Sequence, residues 1–141
     1  MLRAEERAVS RKGQEQVKLH SQTKLTMGSF KNTLIQITQH GMGAGDESLG
    51  LLLVSNYLKL LNEETHLPRV IVFYNAGVQL ICSGSPVIEI LQTLEQKGVR
   101  LMACKTCLNH FGLIDNMEVG LAGTMMDIIE LQKVADKVVN L

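Results

Sequence analysis

The sequence VIVFY at residues 70–74 is apolar at every position, and the turn-forming residues 75–77 (NAG) follow it. A strand with one exposed face alternates apolar and polar side chains, whereas a strand covered on both faces is apolar throughout. Strands of the second kind belong to parallel sheets with helices on both faces. Residues 70–74 therefore predict the central strand of a sheet that is covered by helices.

Further strands are predicted on both sides of this central segment. Residues 33–38 (TLIQIT) are rich in β-forming residues and stop at the glycine cluster of residues 41–45. Residues 99–103 (VRLMA) predict a third strand, and residues 119–123 predict a short fourth one. Apolar residues at helical spacing occupy the intervals between them. This alternation predicts an α/β domain with an open, mainly parallel sheet and right-handed crossovers.

Capping residues mark where the predicted helices begin. Asp46 is placed to cap the first helix, and Thr124 is placed to cap the last one. Ser85 and Pro86 resemble the N-cap and first residue of the second helix. The apolar face of the last helix is predicted to extend to Val138.

Charge divides the chain into two parts. Lysine plus arginine equals aspartate plus glutamate, at 14 each, so the whole chain has no basic surplus of the kind that binds nucleic acid. Residues 1–31 carry seven basic and three acidic side chains, whereas residues 32–141 carry seven and eleven. We expect residues 1–31 to form a polar extension or linker and residues 32–141 to form the α/β domain.

The sequence also bears on location. The charged N-terminus lacks the apolar region of a secretory signal, and no window approaches 18 uninterrupted apolar residues. Three cysteines do not make the disulfide framework of a small secreted domain. We expect a cytoplasmic protein with reduced thiols and with neither a nucleic acid nor a membrane as partner.

The motif most suggestive of chemistry is CKTC at residues 104–107, directly after the third predicted strand. If residues 106–107 open a helical turn, backbone N–H groups point at the Cys107 thiolate and, with Lys105 or His110 nearby, lower its pKa. Two thiols at this spacing can also form an internal disulfide. We therefore predict that Cys107 is a nucleophile and that Cys104 resolves or protects it.

Other candidate residues lie in loops that should meet these thiols. The carboxyl ends of parallel strands share one edge of the sheet, so the loops at residues 40–46, 75–85 and 104–110 should converge there. The candidate pocket residues in these loops are His40, Gly43, Asn75, Cys82, Lys105 and His110. Cys82 follows Leu80 and Ile81, so it suits a buried core position equally well.

Two other kinds of site, a zinc site and a nucleotide site, are alternatives to thiol chemistry. Cys104, Cys107 and His110 form a CxxCxxH run that His40 could complete as a zinc site, although the spacing crowds three ligands into one short segment. The glycine loop at residues 41–45 has neither the third glycine of GxGxxG nor a GK[ST] sequence, so it does not predict a nucleotide site. Thiol chemistry is the favoured interpretation, and zinc is the rival.

Short segments spread over residues 33–141 resemble the DsrE-like sulfur-relay superfamily. The resemblance is closest to the C-terminal domain of YedF-like proteins, which are sulfurtransferase-like proteins of selenium metabolism. The matching segments are GMGxGDExLG at residues 41–50, FYNxGV at 73–78, GSPV at 84–87, LExKGV at 94–99 and CxTCL at 104–108, with Gly112-Leu113 and Val119-Gly120 beyond them. Such an ordered set is more specific than a CxxC motif alone.

This resemblance implies a three-layer α/β/α fold, a homo-oligomer, and the handling of sulfane sulfur or selenium on Cys104 or Cys107 without a metal or organic cofactor. The implied partners are sulfur donor and acceptor proteins, TusA-like proteins among them. YedF-like proteins commonly carry an N-terminal TusA-like domain, which residues 1–32 are too short to contain, and Lys105 stands where relatives often have glycine. The alternative is a noncatalytic oligomeric assembly or regulatory module whose CxxC motif senses redox state or binds zinc.

Overall fold

A computed structural model describes residues 28–141, which form five strands and four α-helices. The strands are β1 (Thr33–Ile37), β2 (Val70–Phe73), β3 (Arg100–Cys104), β4 (Leu121–Gly123) and β5 (Lys137–Asn140). The helices are α1 (Glu47–Leu61), α2 (Ile88–Gln96), α3 (Lys105–His110) and α4 (Met125–Val134). Two 3-10 helices, Asn75–Ile81 and Ile114–Asn116, lie in the loops after β2 and α3.

All strand pairs are parallel, and the order across the sheet is β4-β3-β2-β1-β5. The central position of β2 and the α/β fold class are as the sequence predicts. The fifth strand was not predicted. The final helix ends at Val134, and Val138 lies in β5 beside Leu34 of β1 rather than on a helical face. The chain leaves the helix because the Asp136 N–H donates to the carbonyl of Asn32, which starts the pairing with β1.

Alternating side chains of β2 face two separate layers of the core. Ile71 and Phe73 pack with the buried residues of α1, α2 and α3. Val70 and Val72 pack on the other face with Ile128 of α4. Helices therefore cover both faces of the sheet, in the three-layer arrangement expected from the resemblance. The alternation explains why the whole of β2 is apolar.

Two of the predicted helix starts are confirmed and one is wrong. The Asp46 carboxylate accepts a hydrogen bond from the Leu49 N–H at 2.7 Å, and Thr124 forms a reciprocal capping box with Asp127 at the start of α4. The second helix does not begin at residues 85–86. It begins at Ile88, because the Ser85 hydroxyl accepts from the N–H two residues later and this local turn delays the helix.

The predicted polar extension lies almost entirely outside the described residues, so it stays a prediction. Within residues 28–141, no helix has the length and apolar character needed to cross a membrane.

Candidate functional site

The two thiols of the CxxC motif lie at the carboxyl edge of the sheet, where β3 passes directly into α3. Cys104 ends the strand and is only 2% exposed, whereas Cys107 lies in the first turn of the helix and is partly exposed. Both are free thiols. The helical turn expected at residues 106–107 is therefore present. An incoming molecule meets Cys107 first, because Cys104 lies beneath it in the core between the sheet and α4.

A backbone donor from the neighbouring loop points at the exposed thiol. The Asn75 N–H donates to Cys107 Sγ at 3.1 Å. Asn75 has a φ of +51°, in the left-handed region that few side chains adopt. Asparagine tolerates this conformation better than most residues do, so the sequence suits the turn. The left-handed backbone thus aims an amide at the sulfur atom.

Close packing holds this donor in place. The Tyr74 N–H donates to the Ile37 carbonyl at 3.2 Å, and the Gly77 N–H donates to the Tyr74 carbonyl at 3.1 Å. A Cβ atom on Gly77 would overlap the same Ile37 carbonyl oxygen, so only glycine fits here. The turn after β2 is therefore fastened to the end of β1, and the Asn75 amide has little freedom to move away.

The pKa of Cys107 is raised above its ordinary value of 9.0, which is opposite to the direction predicted from the sequence. Burial is the largest cause, and a hydrogen bond with the neighbouring Cys104 thiol is the next. The Asn75 N–H and the Cys107 N–H act the other way and lower the pKa, but they do not outweigh burial. The expectation of a lowered pKa was wrong because it counted the donors without the desolvation. Lys105 and His110 are not among the causes.

An open cleft of about 360 Å³ lies over Cys107. Its lining is Tyr74, Asn75, Thr106, Cys107, His110, Phe111 and Met125. No lysine, arginine, aspartate or glutamate lines this cleft. The rings of His110 and Phe111 meet edge to face at 5.1 Å between centroids. Of the predicted pocket residues, Asn75 and His110 thus lie with the thiol.

His40 and Cys82 line a second cavity of about 360 Å³, which shares Phe111 with the cleft. His40 Nδ1 lies 3.0 Å from the Glu47 carboxylate. Cys82 is buried and donates from Sγ to the Val78 carbonyl at 3.2 Å, and burial, followed by the negative charge of Glu118, raises its pKa. Cys82 therefore has the character of a core thiol rather than of a reactive one.

The remaining two predicted residues line neither space. Gly43 has a φ of +77° in the exposed glycine loop, and Lys105 is an exposed residue at the start of α3. The zinc set is not assembled either, since no three His, Cys, Asp or Glu side chains come together within residues 28–141.

Sequence reasoning missed four residues of the cleft. Tyr74, Thr106 and Phe111 are each adjacent in sequence to a residue that was predicted. Met125 comes from the start of α4, far along the chain, and reaches the cleft because β4 ends at the same edge as β3. The sequence feature that could have predicted Met125 is the helix cap at Thr124, which fixes where α4 begins.

The profile of the DsrE/DsrF-like family matches residues 31–141, which include the whole sheet and the CxxC motif. The chain belongs to the DsrE/DsrF-like family. Membership of this family suggests a role of the sulfur-relay type. No curated protein matches the chain significantly.

Solved structures share the fold with this member of the family. The YchN protein of E. coli superposes with a TM-score of 0.60 at 22% identity, over 79% of this chain and 99% of its own. MTH1491 of Methanobacterium thermoautotrophicum, a protein of unknown function, gives 0.58 at 24% identity, over 77% of this chain and 97% of its own. BT1422 of Bacteroides thetaiotaomicron, also of unknown function, gives 0.54 at 19% identity, over 78% and 95%. At these identities the likeness extends to the fold alone.

Proposed function

We propose that this DsrE/DsrF-like protein is a sulfur relay protein that carries sulfane sulfur as a persulfide on Cys107. The observation that carries the proposal is the partly exposed Cys107 in the lining of a cleft, with the Asn75 N–H donating to its sulfur at 3.1 Å. A backbone donor in this position stabilises negative charge on sulfur when the thiol attacks and when it leaves.

The loading step is a transfer between sulfur atoms with no net oxidation. The Cys107 thiolate attacks the outer sulfur of a donor persulfide, R–S–SH, forming a new S–S bond as the donor S–S bond breaks. The donor leaves as a thiolate and takes up the proton that Cys107 has lost. In the second step an acceptor thiolate attacks the outer sulfur of the Cys107 persulfide, and Cys107 becomes the leaving group.

Cys104 has a different part in this proposal. Its burial keeps it from incoming donors, but its thiol is near enough to Cys107 to contribute to the raised pKa of that residue. When no acceptor arrives, Cys104 can attack the inner sulfur of the persulfide and form a Cys104–Cys107 disulfide, with hydrosulfide as the leaving group. This reaction would return to the reduced protein only through an external thiol reductant.

Intact-protein mass spectrometry tests the relay after the reduced protein is incubated with a persulfide donor. We expect the wild type to gain one sulfur atom that a reductant removes, with peptide mapping placing it on Cys107. Cys107→Ser should lose the gain, and the matched control Cys82→Ser should keep it. Equal loading of Cys107→Ser and the wild type would refute the assignment of Cys107. No gain while Cys107 is freely alkylated would favour the noncatalytic module.

Self-association is a second part of the proposal. Large apolar side chains are exposed along α1 and α4, with Leu52 57%, Leu60 65% and Met126 74% exposed. Large exposed apolar surfaces mark interaction sites, so we expect a second copy of the chain to bury these side chains. Sedimentation of the wild type and of Met126→Lys tests this: an oligomer that Met126→Lys dissociates supports it, and a monomeric wild type contradicts it.

The resemblance to the C-terminal domain of YedF-like proteins adds a partner to this proposal. The ordered segments that match YedF-like C-terminal domains favour sulfur or selenium transfer with a TusA-like protein as donor or acceptor. Mixing the protein with a persulfidated TusA-like protein, followed by mass spectrometry of both, tests it. Transfer that requires Cys107 supports this partner, and persulfide that stays on the donor speaks against it.

A further inference from the structure

A third cavity lies at the opposite edge of the sheet from the thiols. It is an open cleft of about 600 Å³ at the amino ends of the strands, which we call the basic cleft. Its lining is Lys31, Asn32, Thr65, His66, Leu67, Pro68, Arg69, Lys97, Gly98 and Val99. Three of these side chains are cationic at neutral pH and none is a carboxylate.

Within residues 28–141, the three cations have no anionic partner. The ion pairs among the described residues are His40–Glu47 and Lys133–Glu130, so neither lysine of the basic cleft nor Arg69 belongs to one. This concentration of positive charge is unusual for the described part of the chain, because residues 28–141 carry eight basic and eleven acidic side chains. Like charges that share a concave surface repel one another, and a bound anion would remove that cost.

Neutral hydrogen-bond partners position two of these cations without cancelling their charge. Lys97 Nζ donates to the Asn62 carbonyl at 3.0 Å, and Arg69 Nη1 lies 3.5 Å from Asn32 Oδ1. Asn32 itself has a φ of +50° and donates from its side chain to the Val134 carbonyl. The lysine ammonium and the guanidinium are therefore held near fixed places before any ligand arrives, which lowers the entropy lost on binding.

Helix dipoles account for only part of this arrangement. The carboxyl end of α2 lies beside Lys97, and a cation there compensates the partial negative charge of the helix end. Lys31 and Arg69 belong to no helix and lie on the segments that enter β1 and β2. The lining also has an apolar wall of Leu67, Pro68 and Val99, of which Leu67 is partly exposed and the other two are buried.

We propose that the basic cleft binds a small organic molecule that carries a phosphate group. Arg69 would hold the phosphate through its planar fork of N–H donors, with the two lysines as supporting charges. Leu67, the partly exposed residue of the apolar wall, would contact the organic part. The volume is within the range of ordinary small-molecule sites, roughly 300–1,000 Å³. This proposal does not depend on the relay chemistry at Cys107.

Amide chemical-shift titration of the full-length protein tests the proposal, with phenyl phosphate and inorganic phosphate as separate probes. We expect saturable shifts confined to the lining, at His66 and Gly98 among others, with phenyl phosphate bound more tightly. Arg69→Gln should weaken binding about tenfold through loss of a charge-assisted contact. Lys97→Gln should weaken it as well, and the control Lys105→Gln, at the opposite edge of the sheet, should leave it unchanged.

Four results of this titration would contradict or narrow the proposal that the basic cleft binds an organic phosphate. If neither probe gives saturable shifts, or if Arg69→Gln binds as the wild type does, the proposal is wrong. An equal loss in Lys105→Gln would indicate nonspecific attraction to positive charge. If inorganic phosphate binds as tightly as phenyl phosphate, the apolar wall has no part and the proposed ligand class is wrong. Thermal unfolding of each variant shows whether lost binding reflects lost folding.

Discussion

Replacing Gly77 with alanine should disturb both the fold and the thiol site. The new Cβ would overlap the Ile37 carbonyl oxygen, and the carbonyl carbon would be 2.8 Å away. Both partners are backbone atoms, so no side-chain rotation can relieve the overlap. The Tyr74 N–H also donates to this carbonyl, at 3.2 Å, and that hydrogen bond would have to lengthen.

The cost can be estimated from these contacts. Overpacking in a tightly packed region costs about 1–3 kcal/mol, and a lost backbone hydrogen bond costs about 1 kcal/mol more. We therefore expect Gly77→Ala to lower the free energy of unfolding by about 2–4 kcal/mol, which for a domain of this size lowers Tm by roughly 8–16 °C. A backbone shift at residue 77 would also move the Asn75 amide from Cys107 and slow persulfide loading about fivefold, as for the loss of ~1 kcal/mol of charge stabilisation.

Gly43→Ala is the matched control. Gly43 has a φ of +77°, but a Cβ there meets nothing within 4 Å. Its replacement should cost about 1 kcal/mol for the left-handed backbone alone and should leave loading unchanged. Thermal unfolding by circular dichroism and loading by mass spectrometry measure the two effects. If both variants have the same Tm, or if Gly77→Ala loads sulfur at the wild-type rate, the close approach does not position the Asn75 amide.

Three further predictions concern the thiols and the last helix. The alkylation rate of Cys107 should rise steeply only as pH passes above the ordinary thiol pKa of 9.0. Cys104→Ala should shift that rise to lower pH, because it removes one cause of the raised pKa. An unchanged pH profile of alkylation would contradict this. Because the pKa of Cys107 is higher in the folded protein than in the unfolded one, its contribution to the free energy of unfolding is present at neutral pH and is lost as pH rises through the folded pKa. Unfolding in denaturant at several pH values, with Cys107→Ser as the control, measures this loss. Thr124→Ala should cost about 1 kcal/mol through loss of the capping box, and a cost near zero in a denaturant titration would show that the box adds nothing.

Local patterns predicted most of the sheet because each strand carries its own signal. The apolar run at residues 70–74, the glycine cluster after β1 and the caps Asp46 and Thr124 are all readable within a few residues. β5 was missed because it is only four residues long, with the sequence KVVN, and because Val138 continues the apolar spacing of the preceding helix. What makes it a strand is the exposed edge of β1, which no local window contains.

The candidate site was predicted in its chemistry but not in its electrostatics. Topology alone brings the loops after β1, β2 and β3 to one edge, so Asn75 and His110 could be placed near Cys107 in advance. The hydrogen bond from the Asn75 amide depends on a single left-handed residue. The direction of the pKa shift depends on how much of the sulfur is buried, a property of the packed structure that spacing does not contain.

The raised pKa of Cys107 affects both steps of the proposed relay, because Cys107 serves as nucleophile in one step and as leaving group in the next. A thiol whose pKa lies above the ambient pH is mostly protonated, so less thiolate is available to attack, and it is also the poorer leaving group; a further rise would therefore slow both steps. Burial and Cys104 raise the pKa, and the Asn75 amide opposes them. The amide contact limits the rise in pKa and stabilises the thiolate that each transfer generates.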